Sequence, residues 1–520
     1  MNITLSSGGT PSPTPPRPKR QARPPKEPGS LAVLRNRPFL LLWLAQLSTQ
    51  VGGNMVIYGL TIIIYAASGS KSAVSALLLS FLVPAILFSA IAGVFVDRVD
   101  KRHMLVVTNI LRGLAFLAIV LAGNAILLLY VFMFFVSTVT TFFGPAEASM
   151  IPFLVSRKQL LAANGLFTLT MNVAFAVGFA IAGPFLVALA NAQLLIIIVA
   201  ALYFVAAVFC WTLPSSPPAS LESVSAGQTV ADAEKAVQTM LGQFVEGIAY
   251  IRDHHNIGWS LSYLGVTGAL VGILGVLGPG FAKTTLNLGE KDFGLIVLPL
   301  GLGIVVGILV LNAYGKYLPR RHTIEGGMIG MGILLAVLAC SAPISHFLEA
   351  RATSTGLAEA SRLVSLLSLV MVIAFLVGAS YVLVAVSAQT QLQEELPEDV
   401  RGRVFGILNL VVSVASLAPI IIVGPVADLV GTEPVILFVG GIVCLWGLAS
   451  ILSHSRFPVE DAARVPSTPG GAPVDAMTVT VAPADLGTKA LPAASSRGGV
   501  GGSSSRRGGR EEPLEDGEAP

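Results

Sequence analysis

Charge is what this chain has least of. Of its 520 residues 12% are Asp, Glu, Lys or Arg and 54% are apolar, whereas a soluble domain carries about 25% charged residues. That shortage excludes an ordinary soluble protein. The net charge of +3 is too small to imply a nucleic-acid partner. Cysteine is scarce too. Cys210, Cys340 and Cys444 lie far apart, each inside an apolar run. They show no metal spacing and no disulfide framework, and read as small core residues. The phosphate-cradling pattern Gly-x-x-x-x-Gly-Lys-Ser/Thr is missing, so ATP is not expected as a direct energy source. No apolar core precedes Leu31; a cleavable signal peptide is not expected, and the first apolar run would act as its own signal.

Long apolar runs are what the chain does have. A membrane-spanning helix needs about 20 mostly apolar residues, and about twelve such runs are visible, centred near 39–66, 72–96, 104–123, 125–148, 161–189, 193–212, 259–282, 293–315, 325–344, 364–390, 403–428 and 434–453. Closed β-barrels also satisfy backbone polar groups in lipid, but through short alternating segments. The continuous runs predict an all-α membrane protein of twelve transmembrane helices in two six-helix halves. The organisation read from the sequence is a basic, Pro-rich, disordered tail over 1–30, a first half over 31–212, a linker over 213–257, a second half over 258–455 and a disordered tail over 456–520. The linker opens on Pro214-Ser215-Ser216-Pro217-Pro218. Phe244, Ile248 and Ile251 then recur at helical spacing, which predicts an amphipathic helix on the cytoplasmic side. His254-His255 reads as a solvated pair, and no His/Cys/Asp cluster sits at a membrane boundary. Neither an enzyme nor a cofactor is expected.

The connections carry orientation. Gly93-Val94-Phe95-Val96-Asp97-Arg98-Val99-Asp100-Lys101-Arg102 packs five charges into a turn between two spans. With the N-terminus inside, the short cytoplasmic turns hold Arg98, Lys101, Arg102, Arg157, Lys158, Lys316, Arg320, Arg321, Arg401 and Arg403. The external ones hold Lys71, Lys283, Lys291, Arg351 and Arg362. The bias predicts cytoplasmic N- and C-termini.

The halves echo one another. At one constant offset Gly165 meets Gly406 and Gly183-Pro184 meets Gly424-Pro425. At another, Lys101-Arg102-His103 meets Arg320-Arg321-His322, and Lys316 falls opposite Asp97. Duplication of a six-helix unit follows, and such halves enclose a site near the bilayer midplane.

Gly93-x-x-x-Asp97-Arg98-x-x-Lys101-Arg102 resembles the signature turn of the major facilitator superfamily, with Asp100 where the family usually has Gly. Phe39 to Gln46, Gly144-Pro145-Ala146 and Ile151-Pro152 flanking the turn between spans four and five, Leu161 to Leu166, Glu246-Gly247-Ile248, and Arg401-Gly402-Arg403-Val404-Phe405 narrow the likeness. Together they resemble the branch of macrolide-efflux and siderophore (enterobactin) exporters. The resemblance implies that Gly93, Asp97, Arg98, Lys101 and Arg102 form a gate with Arg401 and Arg403 at the start of span eleven. There the helix N-terminus would stabilise the Asp97 carboxylate.

The resemblance also implies that spans 1, 4, 7 and 10 line the substrate cavity. Their polar residues are Gln46, Gln50, Asn54 and Tyr58; Ser137 and Thr141; Tyr263 and Thr267; and Ser380, Tyr381 and Ser387. Interhelical hydrogen bonding is the other role for such residues. Arg112 reads as a structural or a cavity charge, and Glu147 as its partner, a helix cap or a proton site. The resemblance implies a secondary transporter of the plasma membrane (a bacterial-type inner membrane). It would be a monomer exporting a small amphipathic substrate, with protons as the coupling ion. Uptake or flipping of a lipid or metabolite is the second reading, and a non-transporting receptor or scaffold the third. Intramembrane polar stripes beside an intact Asp97-Arg98 turn weigh against the third.

Overall fold

The computed structural model describes residues 30–216, 255–315, 317–344, 366–395 and 401–456, together with six positions between 238 and 252. The expected tails and the external loop near 346–363 lie outside the described residues apart from single flanking positions. Every described regular element is helical, and twelve helices are long and apolar enough to cross a membrane. In chain order they are α1 (Arg37–Ser68), α2 (Lys71–Asp97), α3 (Lys101–Ala122), α4 (Ile126–Leu154), α5, α6 (Ala192–Trp211), α7 (His255–Thr284), α8 (Gly294–Tyr314), α9 (Arg320–Ala339), α10 (Leu366–Glu395), α11 (Arg401–Val430) and α12 (Thr432–Arg456). Helix α5 is composite: Leu160–Phe175, a π-helical stretch Ala176–Ala182, and Gly183–Leu189.

The ends follow from local chemistry. Gly69 closes α1 at φ 65°, which an L side chain adopts at a cost. The Ser70 and Asn191 side chains accept from Ala73 N and Leu194 N at the starts of α2 and α6. Asp100 caps α3 by accepting from Arg102 N. Helix α4 runs past the 125–148 read from the sequence to Leu154, so Pro152 as well as Pro145 lies inside it, and the connection to α5 begins at Val155. A proline in a long lipid-facing helix kinks it, and neighbouring helices and Ser/Thr side chains satisfy the freed carbonyl.

Packing repeats between the halves. Helix α2 packs on α4, α3 on α6, α3 on α4 and α1 on α5; likewise α8 packs on α10, α9 on α12, α9 on α10 and α7 on α11. Adding six to each number in the first set gives the second, the pattern a duplicated unit would leave. The halves meet where α2 packs on α11 and α7, and where α1 and α5 pack on α7 and α8. Outward-facing residues such as Leu121, Leu127, Leu429 and Phe438 are 69–88% exposed, a surface only lipid would cover. In the linker, the six described positions are helical. Ile251 packs with Ile257, Leu261 and Leu392, Ile248 is exposed, and Phe244 lies outside the described residues.

Candidate functional site

At the end of the molecule where α1 turns into α2, the halves are sealed together. Asp428, in the last turn of α11, accepts from Ser70 Oγ (2.7 Å), Lys71 N (2.9 Å), Ser72 N (2.9 Å) and Ser72 Oγ (2.6 Å). Its carboxylate thus occupies the N-terminus of α2, where free N–H groups and the helix dipole favour an anion. Lys71 Nζ lies 3.7 Å from the same carboxylate and donates to Ala427 O at 3.3 Å. Gly424, one turn earlier, lets α2 approach: a Cβ there would lie 2.4 Å from Ser75 Oγ and 2.8 Å from Lys71 O. Beside this contact an aromatic ladder crosses between the halves. Phe175 stacks on Phe179 (centroids 5.6 Å apart, 5° between planes), Phe179 meets Tyr58 edge-on, and Tyr58 stacks on Phe293 (5.7 Å, 6°).

The other end, marked by Asp97, is different. Asp97 is exposed and joins no described residue by a hydrogen bond or ion pair, and a Cβ on Gly93 would meet nothing within 4 Å. The side chains of Arg401 and Arg403 lie outside the described residues. Arg98 is the C-cap of α2, Lys101 is buried, and Arg102 lies over the Trp211 ring at 5.6 Å. Asp100 has a separate task. It takes hydrogen bonds from Ser215 Oγ and from the backbone N–H of Ser216 (3.4 Å), and His103 lies 3.5 Å away. Burial alone would raise its carboxyl pKa. The bonds from Ser215, Arg102 N and Ser216 N, with His103, outweigh burial and hold it below the usual carboxylate value. The residue that departs from the family's signature thus ties the start of the linker to the turn.

Two adjacent spaces lie between the sealed end and the Asp97 end. The deeper, about 100 Å³, is walled by α5, α7, α8, α9, α10 and α12, and among the described residues only Tyr381 brings a side-chain hydroxyl to it. The second, a vestibule of about 260 Å³, carries Thr267, Tyr381 and Gln389 among apolar residues. Phe175, Ile304 and Tyr381 line both and stand where the two adjoin. Since α7 and α10 run in opposite directions, Leu264 near the start of one and Gln389 near the end of the other place the vestibule toward the Asp97 end.

Of the polar residues picked from the sequence, Thr267 and Tyr381 line these spaces. Gln46 and Tyr58 are buried inside the packing, Gln46 Oε1 and the Tyr58 hydroxyl without hydrogen-bond partners. Asn54 Nδ2 donates to Gln50 O at 2.8 Å and packs where Gly178 of α5 presses on α1. Ser137 donates to Phe81 O in α2, and Thr141 to Ser137 O at 2.9 Å. Tyr263 bonds to Ser450 of α12. Ser380 and Ser387 line neither space. Ser137 and Tyr263 thus tie helices to one another, which is the alternative role of a polar group in lipid. The Phe175, Phe179 and Ile304 walls carried no sequence signal, because an apolar residue on a spanning helix reads alike whether it faces lipid or a cavity. Gln389 did carry one, as an amide two residues beyond Ser387.

Buried charge sits inside the halves, away from the two spaces. Arg112 is 2% exposed. Its guanidinium lies 4.3 Å from the Phe143 ring centroid and 4.7 Å from that of Tyr203, and it donates to Asn109 Oδ1 (2.6 Å) and Thr108 O (3.2 Å). Glu147 is 6% exposed, close enough to feel the charge of Arg112, and its Oε1 has no hydrogen-bond partner. In the second half Glu325, which the sequence reading passed over, accepts from Arg321 Nε (2.9 Å) and Ser450 Oγ (3.2 Å). Its signal was an Arg/Glu pair four residues apart on one helix face. Among the described residues no His/Cys/Asp/Glu group could hold a metal ion.

Twelve spans in two like-packed halves, joined at one end, are the architecture of a membrane transporter. The chain belongs to the major facilitator superfamily, whose family model matches residues 42–420. It is 22% identical over 434 residues to the multidrug efflux pump Tap of Mycolicibacterium fortuitum, covering 80% of this chain and 95% of that one. It is 25% identical over 320 residues to the uncharacterized MFS-type transporter YkuC of Bacillus subtilis (strain 168), covering 59% and 71%. Its fold matches the crystal structure of the nucleoside transporter NupG, with a TM-score of 0.57 at 13% identity over 80% of this chain and 98% of that one. The protein is therefore a multi-pass transporter of the plasma membrane, and not an enzyme.

Proposed function

We propose that the protein exports amphipathic small molecules, drug-, macrolide- or siderophore-like, by alternating access coupled to proton entry. The observation that carries this reading is the neutral pathway: among the described residues no Asp, Glu, Lys or Arg lines the deep chamber or the vestibule. Such walls suit a substrate that buries apolar surface and keeps a few hydrogen bonds. The efflux relative supports the direction. The excess of Lys and Arg in the turns at the Asp97 end supports placing that end, with both termini, in the cytoplasm. The vestibule would then load from inside while the Asp428 contact keeps the outside shut. In the opposite state Asp97 would meet the start of α11 beside Arg401 and Arg403, with Gly93 allowing the approach. Glu147, buried with one free carboxylate oxygen beside Arg112, is the proton site of this reading. The unit of function is the monomer, built of halves 31–212 and 258–455.

The test is accumulation in a pump-deficient bacterial host expressing the chain, across a panel of dyes, macrolides and siderophores, with and without a proton uncoupler. Lower accumulation that the uncoupler restores is expected. Net entry of the panel compounds would reverse the direction, and uncoupler-insensitive export would remove the proton step. Asp97→Asn is expected to abolish export at unchanged protein level and membrane insertion.

A further inference from the structure

The two spaces differ in a way that gives the substrate a shape. Beyond the shared wall of Phe175, Ile304 and Tyr381 the described side chains lining the deep chamber offer hydrocarbon and thioether surface alone. Its far wall is Phe293, whose ring is held by stacking on Tyr58 at the sealed end. The vestibule on the near side offers Thr267, Tyr381 and Gln389. Thr267 Oγ1 donates to Tyr263 O at 2.9 Å, which leaves its lone pairs as acceptors. Apolar cavities stay dry and take apolar guests; one of about 150 Å³ admits benzene, so a space of about 100 Å³ takes a smaller group, an alkyl arm of about four carbons. A fixed charge there would lose its hydration with nothing to replace it.

We propose that the deep chamber seats one uncharged alkyl arm of the substrate while the polar part stays in the vestibule. The substrates are then neutral or singly polar amphiphiles bearing a short, branched apolar arm, and the chamber acts as a ruler for its length. This rests on the exporter reading and specifies its substrate.

The test uses the purified full chain in lipid nanodiscs and fluorescence titration with dansyl amides N-alkylated from methyl to octyl. Affinity is expected to rise about three- to fourfold per methylene until the arm reaches about four carbons, and then to level or fall. Ala374→Leu, which adds carbon to the chamber wall, moves the optimum to shorter arms; Met331→Ala, which removes it, moves the optimum to longer ones. A poorly folded variant weakens all arm lengths alike and cannot move the optimum outward. The 2-(trimethylammonio)ethyl amide, isosteric with the 3,3-dimethylbutyl amide, is expected to bind at least tenfold more weakly. Equal binding of the two isosteres, an optimum unmoved in both variants, or no binding by the wild-type chain at any length overturns the proposal. Failure of cellular efflux with the length optimum intact would strike the exporter reading and leave the chamber's role standing.

Discussion

Asp100 and Glu147 are both carboxylates, and their surroundings give them opposite work. Asp100 has four neighbours that favour its charged form, and it holds the chain leaving α6. Because its pKa is lowered in the fold, its stabilising contribution is fully present above the unfolded value of about 3.9 and is lost as pH falls through the folded value. Between pH 5 and 8 the carboxylate stays ionised, so its bonds from Ser215, Arg102 N and Ser216 N are expected to persist unchanged. Asp100→Asn is expected to speed amide exchange at Ser216 by roughly fivefold, the loss of about 1 kcal/mol from a charge-assisted bond at a part-exposed site; hydrogen-exchange mass spectrometry over 213–216 measures it. Glu147 has the reverse surroundings, buried with an unused oxygen. As the proposed proton site, Glu147→Gln is expected to lose export against a gradient and keep downhill exchange, because the amide mimics the protonated acid. Counterflow in proteoliposomes separates the two, and loss of both activities in a well-folded variant would refute the role. The proton-site role of Glu147 was one of three readings the sequence left open, and the task of Asp100 was not legible there. Asp100 stood out only as a departure from a motif, and the bond that explains it comes from Ser215, more than a hundred positions away.

At the scale of elements, the spans were readable because lipid demands long apolar helices, and that demand leaves a mark in every window of about 20 residues. What the spans do to one another was far less legible. Span four, read as 125–148, runs on through Pro152 to Leu154, since proline breaks a helix less decisively where neighbours supply bonds. The stripe of Gln46, Gln50, Asn54 and Tyr58 keeps its spacing of four, but the helix turns it into the packing of the first half. Glycine shows the same limit. Gly378 is where α10 touches α8, and a Cβ there would lie 2.1 Å from Leu300 O, whereas Gly330 on α9 has nothing within 4 Å. The two read alike in sequence. Gly378→Ala is expected to force the helices apart, at about 1–3 kcal/mol for overpacking a fixed backbone. It should lower the thermal midpoint in detergent by several degrees. Gly330→Ala should leave the midpoint unchanged or raise it slightly, since alanine is the better helix former. Equal midpoints for the two variants would contradict the α8–α10 packing.

At the scale of the whole molecule, α2 and α11 run antiparallel, and each ends in an aspartate near the other's N-terminus. Asp428 reaches the start of α2 and the contact is made. Asp97 closes α2 at the opposite end, next to where the resemblance puts the start of α11, and it is unpartnered among the described residues. If Asp97 meets the start of α11 as proposed, one helix pair carries two latches of the same chemistry, a carboxylate on a helix N-terminus, and each would close one side of the pathway. If they work against each other, weakening one should favour the state held by the other. Replacing Asp428 by Asn removes the ion pair with Lys71 and the charge on the α2 N-terminus, worth about 1–3 kcal/mol together. That is a population shift of roughly 5- to 150-fold toward opening at the Ser70 end. Asp97→Asn should shift the balance the other way, and the double variant should return near the wild-type balance. Spin labels at Gln193 and Asp292, exposed positions of the two halves at the sealed end, in a background without the three cysteines, read the balance by double electron–electron resonance. A longer distance in Asp428→Asn, none in Asp97→Asn, and an intermediate mixture in the double variant is expected. If the single and double variants share one distance distribution, the two aspartates do not oppose each other, and alternating access in this chain is set elsewhere, with the aromatic ladder from Phe175 to Phe293 the next contact to break.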